Sequence, residues 1–237
     1  MTVEVRPYAS LGKVRLDWLN ASHHFSFGHY HDPTRMGVGP LRVWNDDEIA
    51  PRTGFDPHPH RDMEIITYVR QGAITHRDSL GNEGRTPAGD VQVMSAGSGI
   101  RHAENNREDG ETRIFQIWIE PSAKGLPPRW DQRAFPKGER SGELVLLASG
   151  RPGHDGALPI AQDAAVLGAT LAEGQAVTHR LEPGRQAYLV GATGRFRVNG
   201  VVAAARDGVV VRDTDTVTVL ALEEGEILLA DLPGGRA

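Results

Sequence analysis

The 237 residues carry a formal charge of −5 and no cysteine, which excludes disulfides, thiolate metal sites and cysteine nucleophiles. Lysine and arginine are scattered singly, so the clustered positive charge that direct nucleic-acid binding draws on is missing. The opening residues lack the basic start and apolar run of a signal peptide, and no stretch approaches the roughly 18–20 apolar residues of a membrane helix, so a cytoplasmic protein is expected.

Glycine, at 28 residues, and proline, at 15, fall between short apolar runs. That is the punctuation of many short strands joined by turns. In the first half His23, His24, His29 and His31 come early and read as surface or loop histidines. Short runs follow at 41–44 (LRVW), 64–69 (EIITYV), 73–76 (AITH), 91–94 (VQVM) and 113–119 (RIFQIWI). In the last of these Ile114, Gln116 and Trp118 share one face and Phe115, Ile117 and Ile119 the other. Both faces carry bulk, so this strand is expected to be covered on both sides. No long segment shows the 3.6-residue period of an amphipathic helix.

Two stretches between these runs carry the chemistry. Residues 54–64 read GFDPHPHRDME and residues 96–104 read AGSGIRHAE. Side chains two apart on a strand project from one face, so His58 pairs with His60, and His102 with Glu104. Two such pairs facing each other inside a barrel make a nitrogen and oxygen site for one divalent metal. Pro57 and Pro59 stiffen the first pair and, lacking N–H groups, place it at a strand end or sheet edge. Glu64, four and six residues beyond the histidines, is expected on their face, either as a ligand competing with Glu104 or as an acceptor that orients a ligand imidazole by hydrogen bonding. His76, beside Arg77 and Asp78, reads as packed or salt-bridged. Phe25, Phe27, Trp44, Phe55, Tyr68 and Trp118 are candidates for an apolar pocket wall or for plain core.

Residues 121–142 break the strand pattern with three prolines before Trp130 and Phe135, the pattern of a linker wrapping over a surface. Strands then resume at 143–148, 165–171, 175–181, 186–190, 196–200, 209–211 and 226–232. The second half repeats the grammar of the first, which predicts an all-β chain of two tandem barrels, residues 1–120 and 143–237. Only His154 and His179 occur in the second half, far apart and without a carboxylate two residues away, so that half is expected to be structural.

The order of Gly54, His58, His60 and Glu64, followed by Gly99, His102 and Asn106, resembles the two motifs of the cupin superfamily, with Gly97 where the second motif has proline and one extra residue before Gly72. Nearly the whole chain closely resembles the pirin family. The resemblance rests on FSFGHYHDP (25–33), LRVWNDD (41–47), GFDPHPHRDMEIITYV (54–69), HRDSLGN (76–82), GDVQVMSAGSGIRHAE (89–104) and LLADLP (228–233). It implies a bicupin of two jelly-roll-like barrels with metal in the N-terminal one only, held by His58, His60, His102 and Glu104, and it moves Glu64 behind the ligands. Bacterial pirin-like proteins are associated with quercetin 2,3-dioxygenase activity, and animal members with nuclear, iron-dependent co-regulation of transcription factors. The expected function is therefore a mononuclear dioxygenase acting on a flavonol and dioxygen, with Glu104 also accepting the substrate's proton. Iron suits that chemistry, and the same ligands accept nickel, manganese, cobalt, copper or zinc. A metal- or redox-sensing module with a protein partner, and a cupin isomerase or decarboxylase, are the alternatives. A dry aromatic slot favours the first reading, a flat surface the second and a basic pocket the third.

Overall fold

The computed structural model describes residues 1–135 and 137–234. In the first half the strands are β1 (Thr2–Arg6), β2 (Gly12–Arg15), β3 (Leu19–His23), β4 (Leu41–Ile49), β5 (Gly54–His60) and β6 (Glu64–Gln71). They continue with β7 (Ala73–Asp78), β8 (Glu83–Pro87), β9 (Val91–Ser95), β10 (Ile100–Asn105), β11 (Thr112–Ile119) and β12 (Arg129–Arg133). The second half holds β13 (Val145–Ser149), β14 (Leu158–Pro159), β15 (Ala165–Leu171), β16 (Ala176–Arg180) and β17 (Gln186–Thr193). After these come β18 (Phe196–Val198), β19 (Val201–Ala203), β20 (Gly208–Arg212), β21 (Thr216–Ala221) and β22 (Gly225–Leu232). Apart from two short 3-10 turns the described elements are all strands, as the turn-rich sequence predicts.

Each half is a seven-stranded sheet facing a four-stranded one, in jelly-roll fashion. In the first half the orders are β12-β9-β6-β11-β4-β3-β2 and β5-β10-β7-β8. In the second they are β1-β20-β17-β22-β15-β13-β14 and β16-β21-β18-β19. Two segments cross the expected division. The first strand, β1, pairs with β20 in the second half's sheet, and β12, inside the expected linker, adds an edge strand to the first half by pairing with β9. Alternation in 129–133 is too weak to read as a strand because four of its five residues are exposed.

The two seven-stranded sheets share one apolar layer. From the first half Trp44, Tyr68, Phe115 and Ile117 enter it, and from the second Leu147, Val166, Tyr188 and Leu228. The opposite face of the second sheet fills its own half with Leu167, Leu189 and Leu229, which cluster with Phe196 of the four-stranded sheet. The β11 strand fulfils its two-faced pattern. Phe115, Ile117 and Ile119 join the shared layer, while Ile114 and Gln116 look into the first half. From that inward face Gln116 reaches Glu104 on the four-stranded sheet.

Candidate metal centre

Strand β5 is an edge strand, bonded only to β10 among the described residues, so the missing N–H groups of Pro57 and Pro59 cost no ladder bonds. Its antiparallel register sets His58 opposite His102 and His60 opposite Ile100. The two ligand pairs are therefore neighbours on paired strands. They do not face each other across the barrel as expected, because β5 and β10 belong to the same sheet.

The three imidazoles form a nearly equilateral triangle, with ring centroids 4.5 Å (His58–His102), 4.8 Å (His58–His60) and 4.9 Å (His60–His102) apart. The His58 Nδ1–H donates to the Asp56 carbonyl at 2.7 Å, which fixes the tautomer and leaves Nε2 as a lone pair. That Nε2 lies 3.1 Å from Nε2 of His102, and the buried Nε2 of His60 has no hydrogen-bond partner. Burial, with the neighbouring imidazoles second, pulls His60 down to about 4. Burial, then His58 and His76, pulls His102 down to about 3. Neutral imidazoles at neutral pH are what metal ligation needs. An unpartnered ring nitrogen aimed at two others fits a divalent cation in the middle.

Glu104 comes from the other end of β10, beyond an irregularity in the β5 register. Its carboxylate accepts from Thr67 Oγ1 at 3.0 Å, Gln92 Nε2 at 2.6 Å and Gln116 Nε2 at 2.6 Å. A carboxylate has about four acceptor sites, so roughly one is left for a metal or a proton. The histidine triangle forms one cluster of metal-ligating atoms, and Glu104 forms a second with His102 and His76. His102 belongs to both and links them. Among the described residues both clusters lie in the first half.

His76 is packed and hydrogen-bonded to its neighbour Asp78. Its Nε2 lies 3.0 Å from Asp78 Oδ2, and its ring stacks on Trp130 at 4.7 Å and 9°. Nothing in the sequence links Trp130, on the far side of a proline-rich stretch, to the site.

Glu64 is neither a ligand nor a support for one. The β5 strand ends at His60, and Glu64 opens β6 in the opposite sheet. Its carboxylate accepts from Ser95 Oγ at 2.6 Å, and Ser95 Oγ in turn accepts from Arg129 Nε. Burial raises its pKa. The break at residues 61–63, where Asp62 takes φ +49°, defeats a face count that assumes one continuous strand.

His23 and His24 are also not at the surface. His23 is buried on β3, and His24 is fully buried, bonded at 2.7 Å to the Tyr188 hydroxyl in the layer between the halves. Burial lowers the pKa of both. His29 and His31 are exposed as expected.

A cavity of about 450 Å³ opens onto the cluster. Of the six candidate aromatics, Phe27, Phe55 and Trp118 line it, together with Trp18, which sequence reading passed over. Phe25, Trp44 and Tyr68 belong to the shared layer. The cavity also has polar lining residues, His23, Asn45 and Asp47. Burial, then the charges of Asp46 and Glu104, push Asp47 up to about 8, against the pull of Arg70.

The chain matches the family model described as "Pirin" over residues 4–119 and the one described as "Quercetinase C-terminal cupin domain" over residues 146–232. It is 59% identical over 229 residues to a "Pirin-like protein" of Caulobacter vibrioides, covering 97% of this chain and 99% of that one. It is 40% identical over 223 residues to the "Quercetin 2,3-dioxygenase" of Escherichia coli (strain K12), covering 94% and 95%. Among solved structures, the bacterial pirin YhhW from Escherichia coli in complex with nickel(II) superposes with a TM-score of 0.93 at 38% identity, covering 98% of this chain and 100% of that one.

Proposed function

This chain belongs to the pirin family, and we propose on that premise that it is a metal-dependent dioxygenase cleaving flavonols of the quercetin type. One divalent ion is held by His58, His60, His102 and Glu104. The observation that carries the proposal is the histidine triangle, His102 buried and His58 and His60 half-buried, on an aromatic-walled cavity. Relatives support it: one is named a quercetin 2,3-dioxygenase, and a pirin of similar structure is described with nickel(II).

The bound ion would stabilise the enolate of the substrate's 3-hydroxyl and adjacent carbonyl. Phe27, Phe55 and Trp118 give the flat ring system an apolar slot. The one acceptor site of Glu104 left free would serve in turn, holding the ion and, as the carboxylate partly detaches, taking the 3-hydroxyl proton, while Thr67, Gln92 and Gln116 hold the carboxylate in place. Overall, dioxygen adds to the flavonol and one ring carbon leaves as carbon monoxide, with no external reductant. Among the described residues lining the cavity there is no lysine or arginine, which counts against an isomerase or decarboxylase handling phosphates or carboxylates.

The test is anaerobic reconstitution with several divalent metals, then addition of air and quercetin. Loss of the flavonol's visible absorbance with one carbon monoxide per turnover is expected with at least one metal. Full metal loading without turnover by any metal would favour the metal-sensing reading.

A further inference from the structure

The inward face of the seven-stranded sheet carries a row of polar residues running straight across five strands. Cross-strand pairing sets His23 (β3) opposite Asn45 (β4), Asn45 opposite Gln116 (β11), Gln116 opposite Thr67 (β6), and Thr67 opposite Gln92 (β9). Directly paired residues point to the same face, so the row is continuous. The three members at its β9 end, Gln116, Thr67 and Gln92, all donate to Glu104. The two at its β3 end have no such partner: His23 Nδ1 and Asn45 Oδ1 are buried without a hydrogen bond. Asp47, two residues along β4 and on the same face, has its buried Oδ1 equally unpartnered. All three side chains are more than nine-tenths buried and line the cavity.

Buried polar atoms are nearly always paired, and each orphan calls for a reason. Three orphans on neighbouring positions, in a cavity whose other walls carry Trp18, Phe27 and Phe55, form a polar patch in an apolar slot. Adjacent strands lie about 4.8 Å apart. His23 is thus roughly two spacings, about 10 Å, from the Gln116 position that steadies Glu104. A fused two-ring system with a pendant phenyl ring spans such a distance.

We propose that His23, Asn45 and Asp47 form a second recognition site, which receives the phenolic hydroxyls at the end of the substrate remote from the metal. This inference rests on the flavonol reading above and deepens it: the preferred substrate is polyhydroxylated. The hydroxyl is the fitting group because it both donates, to Asn45 Oδ1 or His23 Nδ1, and accepts.

Dissociation constants for quercetin and for 3-hydroxyflavone distinguish the possibilities. The latter keeps the metal-facing hydroxyl and carbonyl and lacks the others. Quenching of tryptophan fluorescence reports binding, since Trp18 and Trp118 line the cavity. Work under nitrogen prevents turnover, and metal-loaded and chelator-treated protein are both measured. The wild type is expected to prefer quercetin at least ~10-fold, the worth of one or two hydrogen bonds. Asn45→Leu should lower that preference to about threefold or less while leaving affinity for 3-hydroxyflavone nearly unchanged. His23→Phe keeps the edge-to-face contact with Phe27, whose centroid lies 5.2 Å away, and provides the same readout should Asn45→Leu fail to fold. Equal wild-type affinities, or a preference that survives in the folded variants, would overturn the inference and leave the flavonol reading standing. Binding of neither compound to the wild type would remove the flavonol reading and the inference with it.

Discussion

At the scale of single residues, two buried carboxylates of the first half, Glu104 and Glu64, differ in what they face. Glu104 has three donors, and Glu104→Gln keeps the shape while losing the anion. A rate loss of ~10²–10⁴-fold in flavonol oxidation at saturating metal is expected. Glu64→Gln, by contrast, should leave metal content unchanged in elemental analysis, because Glu64 faces Ser95 and not the imidazoles. His60→Ala and His102→Ala should each abolish stoichiometric metal. Asp47 gives a pH signature. With its carboxyl raised to about 8 from an unfolded value of 3.8, the folded state holds a proton that the unfolded chain releases. The associated stability is present below 3.8 and is lost as pH rises through 8. His60 and His102 act in the reverse sense. Depressed to about 4 and 3 from 6.5, they contribute fully above 6.5 and lose that contribution as pH falls towards 4. Denaturant unfolding of the metal-free protein should therefore show greatest stability near pH 6.5. Asp47→Asn should remove the decline above that pH and leave the acid limb in place.

At the scale of elements, the pairing of β5 with β10 makes the site. A one-residue slip would turn the whole set of side chains to the other face, so what fixes the start of β10 matters. Gly97 does this. It sits at φ +48°, a region costly for residues with a Cβ. A Cβ there would lie 2.0 Å from the Leu126 carbonyl oxygen. The Gly97 carbonyl accepts from Asp62, and the next N–H, of Ser98, donates to Leu126. Proline, expected here from the generic motif, cannot adopt positive φ. Gly97→Ala should destabilise by about 2 kcal/mol or more, read as a lower denaturant midpoint, with metal binding weakened in parallel. The histidine and glutamate spacing was legible because period two is a local property of a strand. The Glu64 assignment failed because a three-residue break resets the face, and its only sequence sign, Arg-Asp-Met, is not a turn motif.

At the scale of the molecule, the halves are joined as a single core. Arg140, from the segment between them, is almost fully buried. It donates to Tyr68 of the first half at 2.7 Å and to Glu226 of the second at 2.9 Å, and Tyr68 also donates to Glu226. Arg140→Met leaves a buried carboxylate with Lys137 as its remaining cation, and a loss of ~3 kcal/mol is expected from equilibrium unfolding. Adding Glu226→Gln should recover part of it, since the two residues are coupled. Residues 1–142 produced alone should aggregate. They would expose Trp44, Tyr68, Phe115 and Ile117 as one apolar face and leave β1 without its partner β20. Light scattering of that fragment is the check.

The sequence by itself determined the all-β class and the doubled architecture, and its spacing pointed to His58, His60, His102 and Glu104 as candidate ligands with Glu64 left open, because turns, alternation and same-strand pairs are written in neighbouring residues. Even the double coverage of β11 was readable from its two bulky faces. Tertiary structure alone decided what depends on residues far apart. It buried His24 against Tyr188, 164 positions away, and it brought Trp130 onto His76 from a stretch that reads as linker. It also joined His179 to Asp231 at 2.8 Å in a half where the sequence showed no such pair. Above all it lined up His23, Asn45, Gln116, Thr67 and Gln92 in one row. Each belongs to a different strand, and their common face comes from hydrogen-bonded register between strands, which no single segment of the chain encodes.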